Sequence, residues 1–248
     1  MTKTAVENKV SPQSETTADD LAKEFREHSV AEFFKKNKQM LGLSGKTKAL
    51  TTIIHEYVTN SLDACENANI LPDIDVQIKE IGEEFYEVTS TDNGPGLTEE
   101  TLGKAFGQLL AGTKFHRLMQ MRGQQGIGAA GCTMLSQMTT GKEVKVITGN
   151  SHEVFSCEVS IDTKHNRPKV SNIQKLTKKF KGASVKALFK EMKYVNNEQG
   201  PLEYLRRTAI ANPHAKITFT DPAGQTVVFE RTAKKVPDKP EEVQPHPK

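Results

Sequence analysis

Between residues 47 and 68, apolar side chains recur at three- and four-residue intervals: Leu50, Ile53, Ile54, Tyr57, Val58 and Leu62. That spacing predicts a long helix with one buried side. A weaker repeat of the same kind, Leu21, Phe25, Val30, Phe33 and Phe34, predicts one or two short amphipathic helices over 21–38. The period then drops to two. Ile74, Val76 and Ile78 alternate with polar residues over 73–81, and a second strand pattern follows at 85–91. This second strand runs directly into Asp92-Asn93-Gly94-Pro95-Gly96, a chain-reversal signal. Glycines punctuate residues 103–131, a stretch too long for a simple turn and of the length that functional loops reach. Strands are predicted again at 143–148, 153–161 and 184–189. A helix over 201–211 follows, then a hairpin pairing 216–220 with 225–230 around Pro222-Ala223-Gly224. Residues 1–20, polar throughout, read as a flexible tail. Pro237, Pro240, Pro245 and Pro247 make 234–248 a linker. The folded domain is thereby assigned to 21–233.

Composition narrows the class without naming a chemistry. With 248 residues, 35% hydrophobic and 26% charged, the chain suits a soluble globular protein with a real core. No apolar run is long enough to span a bilayer, and the first residues lack the apolar stretch of a leader. Cys65, Cys132 and Cys157 are odd in number and show no CxxC spacing, which argues against a disulfide framework or a zinc site and for a reducing cytoplasm. A net charge of +3 leaves direct nucleic-acid binding open.

Three constellations carry candidate chemistry. Glu56, Asn60 and Asp63 are spaced four and three apart, on one stripe of the long helix. Asn offers Mg²⁺ a neutral oxygen, and Glu can orient and deprotonate a water. Alone, a solvated helix face is the simpler reading. In the second, the strand ending in Asp92 places a carboxylate where it can accept a hydrogen bond from an exocyclic amine such as that of adenine. Gly94 and Gly96 let the backbone approach a flat ligand; alone, an ordinary β-turn accounts for them. The third is Arg122-Gly123-Gln124-Gln125-Gly126-Ile127-Gly128-Ala129-Ala130-Gly131, small residues leading into a helix whose N–H groups can cradle phosphates. It is neither a Walker loop nor a Rossmann fingerprint.

In this order the three resemble the motif series of the GHKL ATPases, and further stretches resemble the B subunits of archaeal DNA topoisomerase VI. Those stretches include 31–38, His55 through Ala64, 70–74, Leu110 through Arg117, 122–128 and Ala211-Asn212-Pro213-His214-Ala215. The resemblance covers nearly all of the chain beyond the polar tail. It implies a Bergerat-type fold over 21–233, an α/β (α+β) two-layer sandwich whose mixed sheet is covered by helices on one side. It implies ATP and magnesium as ligands. Glu56 is then the general base and Asn60 the magnesium-linked ATP ligand. Asp92 reads the adenine amine, Thr113 and Lys114 contact nucleotide from a lid, and Gly123, Gln124, Gln125, Gly126, Ile127, Gly128, Ala129 and Ala130 wrap the phosphates. Asp63, Gly94 and Gly96 support the site, and His55 and His116 stay structural or surface groups.

As partners the resemblance implies a topoisomerase VI A subunit, duplex DNA through the assembled complex, and a second copy joined on ATP binding. The location is the cytoplasm, with the nucleoid. In that family a helix-two-turn-helix and a transducer domain follow this region, so weak ATP turnover by this chain is expected. A histidine kinase catalytic domain, a non-catalytic ATP-switched dimerisation module, and direct DNA contact through the basic run 175–181 stand as alternatives.

Overall fold

The computed structural model describes residues 30–39, 41–109 and 127–239. In chain order its elements are α1 (Val30–Asn37), α2 (Lys46–Asn67), β1 (Asp73–Gly82), β2 (Phe85–Asp92), α3 (Glu99–Gly107), α4 (Gly128–Thr140), β3 (Val144–Gly149) and β4 (Val154–Asp162). They continue with β5 (Arg167–Lys175), β6 (Gly182–Lys190), α5 (Pro201–Ala211), β7 (Lys216–Thr220) and β8 (Thr226–Phe229).

The strands form one sheet in the order β5-β4-β3-β6-β2-β1-β7-β8. Only the β1–β7 pair is parallel among these neighbours. Because side chains alternate between faces, the register collects apolar residues into rows. Phe219, Val76, Ser90, Val185, Val146 and Cys157 are cross-strand partners through six strands, and all six are buried. The helices lay their apolar sides on this face. Ile53, Ile54, Val58 and Leu62 of α2, with Ala130, Met134 and Leu135 of α4, join the strands in one continuous core. The result is the expected two-layer α/β sandwich with a mixed sheet.

The long helix and the first two strands fall within a residue or two of their predicted limits. Residues 21–29, part of the first expected helix, lie outside the described residues. Two elements depart from the sequence reading. A helix, α3, ends inside the start of the glycine-punctuated stretch and opens on a capping box: Thr98 Oγ1 accepts from Thr101 N, and Thr101 Oγ1 accepts from Thr98 N at 2.9 Å. Glu99 and Glu100 in its first turn favour the positive helix end. The other is β5, an edge strand exposed along most of its length. It meets α3 where Gly103 and Gly107 pass over Pro168 and Val170. After β8 the chain folds back, with Thr232 N and Ala233 N donating to Pro213 O at 2.8 and 2.9 Å, and Val236 is buried.

Candidate functional site

Tyr86, Val88 and Ser90 are buried on one face of β2, and Asp92, next on that face, is half-buried beside α2. Oδ1 accepts from Gly94 N at 2.9 Å and from Ala183 N of β6 at 3.1 Å, and Oδ2 accepts from the Ser61 hydroxyl of α2 at 3.0 Å. Burial pushes the Asp92 carboxyl above the ordinary aspartate range, while these three hydrogen bonds pull it back. A carboxylate has about four acceptor positions, so Oδ2 keeps one for a donor entering the pocket.

The turn after Asp92 is pinned on both sides. Asn93 Nδ2 donates to Leu71 O at 3.1 Å, and Asn93 Oδ1 accepts from Asp73 N at 2.9 Å. Gly94 is buried, and a Cβ there would stand 3.4 Å from Cys65 Sγ of α2. Gly96 takes φ +74, and a Cβ there would collide with Gly149 O. Only glycine satisfies both conditions without strain. Leu97 N then donates to the buried Thr148 hydroxyl of β3 at 2.8 Å, and Thr148 in turn donates to Gly182 O at 3.2 Å.

On α2 the predicted stripe is graded: Asp63 is buried, Glu56 half-buried and Asn60 exposed. Glu56 reaches across to α4. A Cβ on Gly128 would collide with Glu56 Oε2, so the first residue of α4 has room for that carboxylate because it carries no side chain. Further into α4, burial and then the Glu56 charge push the Cys132 thiol well up. Ile127 is the N-cap of α4 and makes no side-chain capping bond, which leaves the first-turn N–H groups without intrahelical acceptors. Ala129 and Ala130 are buried in the core.

The fold thus brings Asp92, the mid-part of α2 and the start of α4 together. Thr113, Lys114, Gly123, Gln124, Gln125 and Gly126, and likewise His116, lie outside the described residues. His55 is exposed on α2 and bonds through Nδ1 to the Tyr204 hydroxyl at 3.1 Å. The basic run borders a different place, an open groove of about 570 Å³ between Asn150–Val154 and Leu176–Lys181. Within the run, Lys175 is paired with Glu153 at 3.1 Å. Ser61, Asn93, Thr148 and the Ala183 amide were not singled out from sequence. Ser61 carried a signal, being one residue from Asn60 on the same helix, and Asn93 lies within the predicted chain reversal.

The sequence profile of the histidine kinase-, DNA gyrase B- and HSP90-like ATPases matches residues 45–180. That stretch runs from the N-cap of α2 through the Asp92 turn and α4. The chain belongs to this ATPase family.

The chain is 51% identical over 233 residues to the B subunit of type 2 DNA topoisomerase 6 from Pyrococcus horikoshii. It is 47% identical over 234 residues to the protein of that name from Thermococcus sibiricus. Against that of Methanothermobacter thermautotrophicus the figure is 46% over 227 residues. The alignments take in 93%, 93% and 90% of this chain but only 41%, 41% and 43% of those relatives. The chain therefore spans less than half the length of these relatives. No helix among the described residues is long and apolar enough to cross a membrane.

Proposed function

We propose that this chain is the nucleotide-binding part of a type 2 DNA topoisomerase B subunit, in which ATP closes two B copies and an A subunit cuts the duplex that is passed. The observation that carries the reading is Asp92, a carboxylate drawn out of solvent and held by Ser61, Gly94 and Ala183, with one acceptor position left on Oδ2. It suits the exocyclic amine of adenine. The names of the relatives favour a topoisomerase over a histidine kinase.

In this reading Asn60, exposed on α2, would hold magnesium through its side-chain oxygen, a single neutral protein ligand of the kind that ion takes beside phosphate and water. Magnesium, when bound, would offset phosphate charge. Glu56 is the general base, taking the proton of the attacking water. Gly128, Ala129 and Ala130 offer backbone N–H groups to phosphate; in the family likeness 123–127 share that role, and Thr113 and Lys114 contact nucleotide. Asp63, Gly94 and Gly96 keep the supporting roles. The A subunit, duplex DNA, dimer closure and a cytoplasmic, nucleoid-associated location all belong to this proposal.

Calorimetry with a non-hydrolysable ATP analogue and magnesium tests it. The wild-type chain binds, and Asp92→Ala loses binding by a hundredfold or more, about 3 kcal/mol for a desolvated charged acceptor. Equal binding by both proteins would remove Asp92 from the adenine pocket and the reading with it.

A further inference from the structure

Asp92 can aim its carboxylate only if the turn behind it is fixed, and the hydrogen bonds that fix this turn lead away from the site. Asn93 bridges two residues of the 71–73 loop, donating to Leu71 O at 3.1 Å and accepting at Oδ1 from Asp73 N at 2.9 Å. The same Oδ1 accepts from Cys65 Sγ of α2 at 3.5 Å. Between the bridged residues stands Pro72, buried and without an N–H of its own. Its carbonyl accepts twice, from Lys216 N of β7 and from Arg231 Nη2, each at 2.9 Å. Arg231 lies just past β8, 159 residues along the chain from Pro72. We propose that Arg231 is a positioning residue for the nucleotide site, acting through the 71–73 loop and Asn93 on the Asp92 carboxylate. The inference rests on the ATP reading above and adds to it a residue outside the 45–180 stretch by which the family is recognised.

A carbonyl oxygen has two acceptor positions, and those of Pro72 are filled by the sheet on one side and by Arg231 on the other. Leu71 O and Asp73 N, its neighbours, are both taken by the Asn93 side chain. Three consecutive residues are thus held, and Asn93 is held with them. The next amide, Gly94 N, donates to Asp92 Oδ1 at 2.9 Å, and its direction is set by the backbone at Asn93. With that backbone loosened, Oδ1 relies on Ala183 N at 3.1 Å, and the charged form of the carboxylate loses a donor. The ion pairs nearby do not fix the loop. Asp73 Oδ2 stands 3.7 Å from Lys216 Nζ and 3.9 Å from Arg231 Nη2, on a side chain 45% exposed, where such contacts contribute little. The charge-assisted bond from Arg231 to the Pro72 carbonyl is the stronger hold.

The test measures binding of a non-hydrolysable ATP analogue with magnesium by calorimetry across pH, on the 248-residue chain at temperatures where each variant is folded. Arg231→Ala weakens binding by about fivefold and Asn93→Ala by about tenfold, the range of one hydrogen bond. As pH is lowered, both variants lose affinity at higher pH than wild type, because Asp92 has lost a donor to its charged form. Arg231→Lys, which keeps a cationic donor, restores most of the affinity. The double variant binds no more weakly than Asn93→Ala, since Arg231 acts through Asn93. If Asn93→Ala does not fold, the Arg231 variants carry the test alone. A merely structural Arg231 would lower the melting temperature and leave affinity and pH profile at wild-type values, and that result overturns the inference. Losses that multiply in the double variant also overturn it. Wild-type binding that Asp92→Ala abolishes, with unchanged binding by Arg231→Ala, overturns this inference and leaves the functional reading standing. Absence of binding by the wild type overturns both.

Discussion

At the residue scale the site turns on a carboxylate whose environment pulls two ways. Burial raises the Asp92 pKa, and Ser61, Gly94 and Ala183 oppose the rise without cancelling it. The folded chain therefore takes up a proton at Asp92 at higher pH than the unfolded chain does. Ionised Asp92 costs stability at neutral pH, and that cost falls away as pH is lowered through the folded pKa. At the proposed site, nucleotide binding would respond in the opposite sense, because protonation removes an acceptor. Analogue affinity measured as pH is lowered should fade before the ordinary aspartate range, near 4, is reached. Ser61→Ala, which deletes a donor to the charged form, should move that fading to still higher pH. A fade that begins no earlier than for an exposed aspartate, or a Ser61→Ala profile identical to wild type, would contradict this assignment. The carboxylate itself was legible in the sequence from its place at a strand end. The Ala183 amide was not, since it is 91 residues away and meets Asp92 only through sheet pairing.

Elements were legible where periodicity and burial agree. Helix α2 carries a full apolar side and packs on the sheet, so its limits follow from the pattern. Strand β5 sits at the sheet edge with polar residues on both faces, and its period is invisible without α3 beside it. Helix α3 is short and two of its nine residues are glycine, which lowers helix propensity, and it was not read from the sequence. Glycines elsewhere carry geometry rather than weakness. At Gly96 the positive φ and the contact with Gly149 O together predict that Gly96→Ala destabilises the fold by about 2 kcal/mol or more. Urea unfolding with an unchanged m-value checks it; a loss under half that size would mean that the turn relaxes freely.

The molecule as a whole is held together by a strand that arrives late. β6 lies between β3 and β2 in the sheet, yet begins at Gly182, just past the 45–180 stretch by which the family is recognised. Without it β3 and β2 have no common partner, and both present unpaired edges. A fragment ending at residue 180 should therefore fail to give a cooperative thermal transition and should aggregate, whereas extension through Lys190 and the C-terminal strands restores one. A monomeric, cooperatively melting 45–180 fragment would refute this. Asp92 draws the same consequence into protein synthesis, because one of its three hydrogen bonds comes from Ala183 in that strand. At about 5–20 residues per second, several seconds separate the emergence of Asp92 from that of its last partner. In the proposed reading, a half-made chain on the ribosome thus has no finished pocket for nucleotide, and competence to bind ATP becomes a checkpoint that only a chain translated past its recognisable family segment can pass.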